Sequence, residues 1–329
     1  MAFVRDEGEF ALIARLNRLL LERTGAAEGV AVGIGDDCAV IQATPYPLLL
    51  SCDLAIEDIH FRRAAMPPED IGYRAAAAAF SDMAAMGGTP LYGLVALACP
   101  GHIPVDFIEA VYCGLADAAA AAGARIVGGD TTISPSGLVL DVSVVGEARE
   151  GRCVLRNGAQ AGDVLAVTGR LGRSAAGLHA LEHGLDAPEL IAMHRRPQPR
   201  YTQSRWLCRE PAVHAMIDVS DGLAQDAGHV AEASGLGLDI QSSKLLLDDD
   251  LRRYCKHHGL DPLDLALAGG EDYELAVAVA VGDVEQVCRR FTQDFVLPLT
   301  PVGVFTNSPA GIHVDGQTPT RTGYEHFRP

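Results

Sequence analysis

Five short acidic clusters carry the residues best suited to chemistry: Gly35-Asp36-Asp37, Ser51-Cys52-Asp53, Ser81-Asp82, Gly128-Gly129-Asp130-Thr131 and Asp218-Val219-Ser220-Asp221-Gly222. Each sits where an apolar run ends or a helical pattern starts or stops, which predicts carboxylates held near turns on a rigid scaffold. Carboxylate and hydroxyl oxygens suit a hard divalent cation, because Mg²⁺ takes one or two carboxylates together with substrate phosphates. Two carboxylates about 4 Å apart repel by about 4 kcal/mol at an effective dielectric of about 20. A fold that gathers several must neutralise them with cations or raise their pKa values. One Asp-Gly or Asp-Ser step alone reads as a cap or a turn. Five at successive elements point to one shared face and a multi-magnesium nucleotide site.

Other motifs are weaker. Gly169 to Ser174 suits a phosphate cradle of backbone N–H groups at a helix start, or equally a plain strand-to-helix turn capped by Ser174. His179 and His183 stand at i and i+4 without the Glu of H-E-x-x-H, so they read as a solvated helix face. His60 follows Asp53 and precedes Phe61-Arg62, where it could donate to an anionic substrate or simply pack. Asp248-Asp249-Asp250 reads as a solvated loop.

Several classes are excluded. The only lysines are Lys244 and Lys256, so no Walker A loop exists, and the protein-kinase His-Arg-Asp and Asp-Phe-Gly motifs are missing. Gly33-Ile34-Gly35 would need its third fingerprint glycine at Cys38, which argues against a Rossmann cofactor. The 8 cysteines include no C-x-x-C pair, which fits neither a zinc ribbon nor a dithiol site but does fit a reducing cytosol. Lys+Arg 26 against Asp+Glu 43 leaves a net charge of −17, the wrong sign for a nucleic-acid binder. Met1 to Phe10 carries Asp6, Glu7 and Glu9 and lacks signal-peptide order, and no apolar run nears the roughly 20 residues of a membrane span. The expectation is a soluble, cytoplasmic protein with no membrane partner.

The elements that must position these groups alternate. Residues 8–23 predict an amphipathic helix on Phe10, Ile13, Leu16 and Leu20. Val30 to Val32, Ala39 to Ile41 and Leu48 to Asp53 read as strands. An alanine-rich helix over 68–86 starts at Pro67-Pro68 and stops at Gly87-Gly88. Leu91 to Ala98 (strand), Val105 to Ala122 (helix), Arg125 to Val127 (buried strand ending in Gly128-Gly129-Asp130) and Leu138 to Ala148 (strand) complete a first block. The second contains strands at Val164 to Thr168, Ala215 to Val219, Gly237 to Ile240, Glu274 to Val281 and, last, Pro298 to Phe305. Its helices fall at 174–183, near 188–194, 200–209, Gly222 to Ala233 and 282–292. Strands and helices alternating in both halves predict two α/β layers, 1–150 and 151–329, with the boundary in Arg149 to Asp163.

As a set, the motifs resemble the thiamine-monophosphate kinase family. Those that carry the likeness are Gly33-Ile34-Gly35-Asp36-Asp37-Cys38-Ala39, Ser51-Cys52-Asp53 through His60-Phe61, Phe80-Ser81-Asp82-Met83-Ala84-Ala85-Met86-Gly87 and Gly128-Gly129-Asp130-Thr131. Asp218-Val219-Ser220-Asp221-Gly222-Leu223, Gly269-Gly270-Glu271-Asp272-Tyr273-Glu274-Leu275 and a terminal Gly323-Tyr324-Glu325-His326-Phe327 continue it in order. The resemblance implies transfer of the γ-phosphoryl of ATP, as co-substrate, onto thiamine monophosphate. It implies an α/β (α+β) fold of two domains like aminoimidazole ribonucleotide synthetase. A homodimer would form through the N-terminal mixed sheets, and residues 1–150 would bind ATP and magnesium. Residues 151–329 would complete the active-site cleft.

Carried over by position, Asp37, Ser51, Cys52, Asp53, Asp82, Asp130, Asp218 and Asp221 fall where the family binds several Mg²⁺ ions. Cys52 replaces the usual threonine, and a thiol is a poor Mg²⁺ ligand. Gly129, Asp130, Arg156 and Ser220, with Tyr112, fall at nucleotide contacts; His60, Glu271 and Tyr324 fall at substrate contacts. No residue is implied as a covalent catalyst, with Asp130 and Arg156 supporting the transfer electrostatically. The alternatives are an aminoimidazole ribonucleotide synthetase-like enzyme of the same superfamily and a non-catalytic nucleotide-binding scaffold.

Overall fold

The computed structural model describes residues 3–7, 9–34, 38–308 and 311–325. The chain forms two compact units, one of Met1–Met83 with Thr89–Arg149 and one of Ala84–Gly88 with Glu150–Pro329.

The first unit runs α1 (Val4–Glu7), α2 (Glu9–Thr24), β1 (Val30–Val32), β2 (Val40–Ile41), β3 (Leu48–Ile56), α3 (Pro68–Ala85), β4 (Thr89–Cys99), α4 (Val105–Ala122), β5 (Arg125–Ile133) and β6 (Val139–Glu147). Its four-stranded sheet has the order β3-β6-β4-β5, antiparallel except for the parallel β4–β5 pair. One face is covered: Leu140, Val142 and Val144 of β6 and Val95 and Leu97 of β4 are buried, as are Ile108, Val111 and Leu115 of α4. Alanine in α3 has a packing reason. A Cβ on Gly72 would lie 1.9 Å from the Val111 carbonyl oxygen, and one on Gly114 would lie 1.8 Å from that of Glu69. The two helix backbones touch, and only small residues allow it. On α2 the buried stripe is Leu12, Leu16 and Leu20, whereas Phe10 is 83% exposed. The expected spacing was one position out of phase at its start.

The second unit continues with β7 (Val164–Thr168), α5 (Arg173–His183), α6 (Pro188–Arg195), α7 (Tyr201–Arg209), β8 (Val213–Asp218), α8 (Leu223–Ala233), β9 (Gly237–Ile240), α9 (Asp249–His258), α10 (Pro262–Ala268), β10 (Leu275–Val279), α11 (Val284–Phe295), β11 (Leu299–Thr306) and β12 (Gly311–Val314). The sheet order is β12-β9-β11-β7-β10-β8, antiparallel except for β12–β9. Every residue of β10 is buried. Ala276 and Ala278 face a core with Leu223, Ala227 and Val230 of α8, while Leu275, Val277 and Val279 face another with Val287 and Phe291 of α11. Helices therefore cover both faces of this sheet.

Two expectations fail here. The last strand is β12, a short parallel edge beside β9, not Pro298 to Phe305. Asp248-Asp249-Asp250 is not a loop: the Asp248 carboxylate accepts from Leu251 N–H at 2.7 Å, lies 3.0 Å from Arg173 Nε and caps α9. Leu251, Tyr254 and Cys255 then bury one face of that helix against Ala176, Ala180 and Leu190. Charge at a helix start reads as solvent until the apolar stripe after it is counted. No helix among the described residues is long and apolar enough to cross a membrane.

Candidate functional site

In the first unit the acidic clusters among the described residues lie inside regular elements rather than near turns. Ser51, Cys52 and Asp53 occupy the middle of β3, Asp82 lies within α3, and Asp130 lies within β5. A strand displays alternate side chains on one face, so it can present a polar row without ending. Asp53 pairs across β6 with Val142, and Val142 with Val95, which are buried; this is the helix-covered face. On that face the Ser51 hydroxyl donates to Asp82 Oδ2. Ser51, Asp53 and Asp82 therefore share one side of the sheet.

Cys52 belongs to the opposite row, with Leu50 and Leu54, so its thiol points away from Ser51 and Asp53. Asp130 is in register with Ala96, Asp141 and Leu54, which puts it on the uncovered face with Cys52 and apart from Ser51, Asp53 and Asp82. Before it, Gly129 adopts φ +156°, and a Cβ there would sit 1.9 Å from the Val95 carbonyl oxygen. Glycine is required where β5 passes β4.

His60 follows β3, and its Nδ1 accepts the Ile56 N–H at 3.0 Å. The neutral ring must then carry its proton on Nε2 as a donor. Tyr112 is buried in α4, and burial pushes its hydroxyl pKa up. Asp37 lies outside the described residues.

The second unit holds its candidates on a knotted set of loops. Asp218, buried, ends β8, and the N–H groups of Ser220, Asp221 and Gly222 all donate to Asp226 Oδ2 at 3.0 Å. Glu271 N–H donates to Ser220 O at 2.7 Å, Tyr273 N–H to Val219 O at 2.9 Å, and Tyr324 N–H to Asp221 O at 3.1 Å. Asp218, Ser220, Asp221, Glu271 and Tyr324 are thus parts of one hydrogen-bonded assembly. Glu271 and Tyr273 adopt φ of +67° and +51°, a strained backbone that persists only where its surroundings over-determine it. Arg156 is exposed on the short 3₁₀ turn Arg156–Gly158.

Between the two strained residues, half-buried Asp272 accepts Gly172 N–H at 2.6 Å and Ser174 N–H at 3.0 Å. This decides the reading of Gly169 to Ser174. The helix-start donors are occupied by an internal carboxylate, the cap is Gly172, and Ser174 Oγ lies 3.1 Å from His194 Nδ1. A cavity of about 260 Å³ beside this turn is lined by Arg173, Arg200, Asp272 and Glu274 among others. In it Arg200 holds Glu274 through Nε at 2.7 Å, and the Thr168 hydroxyl donates to the same carboxylate at 2.6 Å. His179 and His183 stack at 4.2 Å between ring centroids. His179 is half-buried with its Nδ1 2.7 Å from the Tyr254 hydroxyl, so only His183 meets the solvated reading.

Burial first, then the Asp218 and Asp221 charges, push Asp226 up to about 8, against the pull of the backbone N–H groups of Gly222 and Asp221. Burial likewise pushes Asp272 up to about 7. Three carboxylates around one loop create the demand that a bound cation relieves. The donors at both places, Ser51–Asp53–Asp82 and Asp218–Asp221, are oxygens, which suits Mg²⁺ rather than a softer metal. Among the described residues no three His, Cys, Asp or Glu side chains are already arranged as a metal cage. The sequence motifs include Asp272 and Glu274 without giving either a role, and they do not include Asp226. The available signal was a carboxylate in the first turn of α8, facing back towards the preceding N–H groups.

Residues 35–148 match the AIR synthase related protein N-terminal domain, and residues 160–315 match its C-terminal domain. A thiamine-monophosphate kinase of Bacillus subtilis is 37% identical over 321 residues, covering 93% of this chain and 96% of the relative. The crystal structure of a thiamine-monophosphate kinase from Stenotrophomonas maltophilia superposes with a TM-score of 0.82 at 33% identity, covering 95% of this chain and 98% of that one. AaThiL complexed with AMPPCP and TMP superposes with a TM-score of 0.77 at 32% identity, covering 99% of both chains. Sequence likeness of this extent, carried by the same two-domain architecture, makes the chain a member of the thiamine-monophosphate kinase family.

Proposed function

We propose that this chain is an ATP-dependent kinase that phosphorylates thiamine monophosphate to thiamine diphosphate. The observation that carries the reading is full-length kinship with a relative complexed with AMPPCP and TMP. The acidic residues of β3, α3 and the 218–222 loop support it. Asp37, Ser51, Asp53, Asp82, Asp130, Asp218 and Asp221 would hold several Mg²⁺ ions, with Cys52 contributing at most its backbone. When bound, the ions supply charge neutralisation between two phosphate groups that otherwise repel.

The acceptor is already an anionic phosphate oxygen, so the residues need to position and to neutralise rather than to remove a proton. Gly129, Asp130, Arg156 and Ser220 would receive the nucleotide, Arg156 with its guanidinium on phosphate oxygens. Tyr112, being buried, would act there through packing. His60 would donate Nε2–H to the substrate. The Glu271 carboxylate suits the permanent positive charge of the thiazolium ring, and the exposed Tyr324 ring suits its face. Transfer is direct and in line, with no phosphoenzyme.

Residues 1–150 would form the nucleotide and dimerisation domain, and residues 151–329 would complete the cleft. The uncovered sheet face bears Leu50, 73% exposed, with Leu48, Leu54 and Leu94, and suits a second copy of the chain in a homodimer. A cytoplasmic location fits the free cysteines.

The test is incubation with ATP, Mg²⁺ and thiamine monophosphate. Thiamine diphosphate and ADP in equal amounts are expected; no thiamine diphosphate would remove the reading. A burst of ADP without thiamine monophosphate would remove direct transfer.

A further inference from the structure

Gln225, in the first turn of α8, joins the acidic loop to the C-terminal segment. Its side-chain Nε2 carries two hydrogens and has two acceptors on different segments: the Tyr324 carbonyl at 2.8 Å and Asp221 Oδ2 at 3.2 Å. Its backbone N–H donates to the Thr322 carbonyl at 3.1 Å, and Tyr324 N–H returns to the Asp221 carbonyl at 3.1 Å. Between these bonds the chain presses close. A Cβ on Gly323 would lie 2.7 Å from the Asp221 carbonyl oxygen and 2.8 Å from Gln225 Cβ. The frame beneath is fixed separately, since the neighbouring Asp226 accepts the three N–H groups of Ser220, Asp221 and Gly222.

The tied segment is otherwise exposed: Arg321, Thr322, Tyr324 and Glu325 all face solvent. Backbone order in such a terminus depends on what ties it down. The chemistry of the tie is specific. Glutamate has no donor and would meet Asp221 with like charge; asparagine is one methylene too short for both acceptors; methionine matches the length and donates nothing.

We infer that Gln225 is a positioning residue that seats the Tyr324 segment on the Asp221 loop and so governs recognition of the thiamine-bearing substrate without touching it. This rests on the reading that Tyr324 meets that substrate. Gln225 acts mainly on that substrate: the loop's own N–H groups stay held by Asp226, and only its bond to the Asp221 carboxylate reaches a group that would hold Mg²⁺.

The experiment compares the full chain with Gln225→Met, Tyr324→Ala and the double variant. Gln225→Met should raise KM for thiamine monophosphate about tenfold, the scale of one or two lost hydrogen bonds, and raise KM for ATP by no more than about threefold, through the loosened Asp221 carboxylate. The double variant should be no worse than Tyr324→Ala alone, because both act through one seat. Without any ligand, amide exchange in 320–325 should quicken in Gln225→Met while the Ser220–Gly222 amides keep their protection. Equal rises in both KM values, multiplicative effects in the double variant, or unchanged exchange in 320–325 would each overturn the inference. If the wild-type chain makes no thiamine diphosphate, the kinase reading fails by itself, and exchange still decides whether Gln225 seats the segment.

Discussion

The two units solve the same problem, holding carboxylates in place, by different means. In the first, candidate residues stand on strand and helix bodies, and β-sheet register alone decides which face each one takes. That sheet is covered on one side, with Leu50 73% exposed on the other. In the second, both faces of the sheet are buried and the candidates sit on loops, including two strained residues, fixed by carboxylates that accept backbone N–H groups. Register positions a side chain at no further cost once the sheet forms. Loop positioning needs its own polar supports, buried Asp226 and Glu274 with half-buried Asp272, and those supports carry stability as well as geometry.

If that contrast is right, changes to the first unit's candidates should affect rate alone, and changes to the carboxylates that support the second unit's loops should affect folding. The largest effect is expected for Asp53→Asn and Asp130→Asn. Both side chains are exposed, so each variant should lose roughly 10²-fold or more in kcat with an unchanged thermal midpoint. Normal steady-state rates in both would break the site assignment.

Next, Glu274→Ala leaves the Arg200 guanidinium, whose side chain is 18% exposed, without its carboxylate. Urea unfolding should report a loss of about 3–5 kcal/mol, and less than about 1 kcal/mol would show that the pair holds nothing.

A smaller effect concerns pH. Asp272 is raised from an ordinary 3.8 to about 7, so between those values the folded chain keeps a proton that the unfolded chain has released. Stability from this group therefore falls as pH rises through about 4 to 7 and levels off above. Asp272→Asn should remove that slope, a difference on the order of a few kcal/mol across the window. Parallel curves for wild type and variant would sink the assignment.

The smallest effect is expected at Val296, a β-branched residue at φ +50° and 95% exposed after α11. Glycine there should raise stability by about 0.5–1 kcal/mol, since relief of strain exceeds the added chain entropy. A decrease would mean that Val296 makes a contact that offsets its strain.

Legibility in the sequence followed range. α4 spans Val105–Ala122 as its apolar spacing predicts, and α3 ends before Gly87, whose φ of +73° stops the helix. Phe10 failed because a periodic pattern does not say where its stripe begins. The strand β5 continued through Gly128-Gly129-Asp130 because β4 beside it supplied hydrogen-bond partners that a glycine-based turn rule ignores. Asp248 failed for a local reason instead: it caps α9 through Leu251 N–H three residues on, a signal that the run of three acidic residues hid.

The amino-acid order by itself determined which residues could bind a hard cation, which nucleotide motifs were impossible, and where most helices and strands run. These depend on side-chain chemistry and on neighbours a few positions apart. Only the tertiary structure decided that Ser51 and Asp53 take the helix-covered face and Cys52 the other, that Asp272 occupies the Gly172 and Ser174 amides, and that Gln225 ties the Tyr324 segment to the 218–222 loop. Each of these depends on a partner brought close by folding, and partners 89 to 100 residues away leave no trace in local spacing.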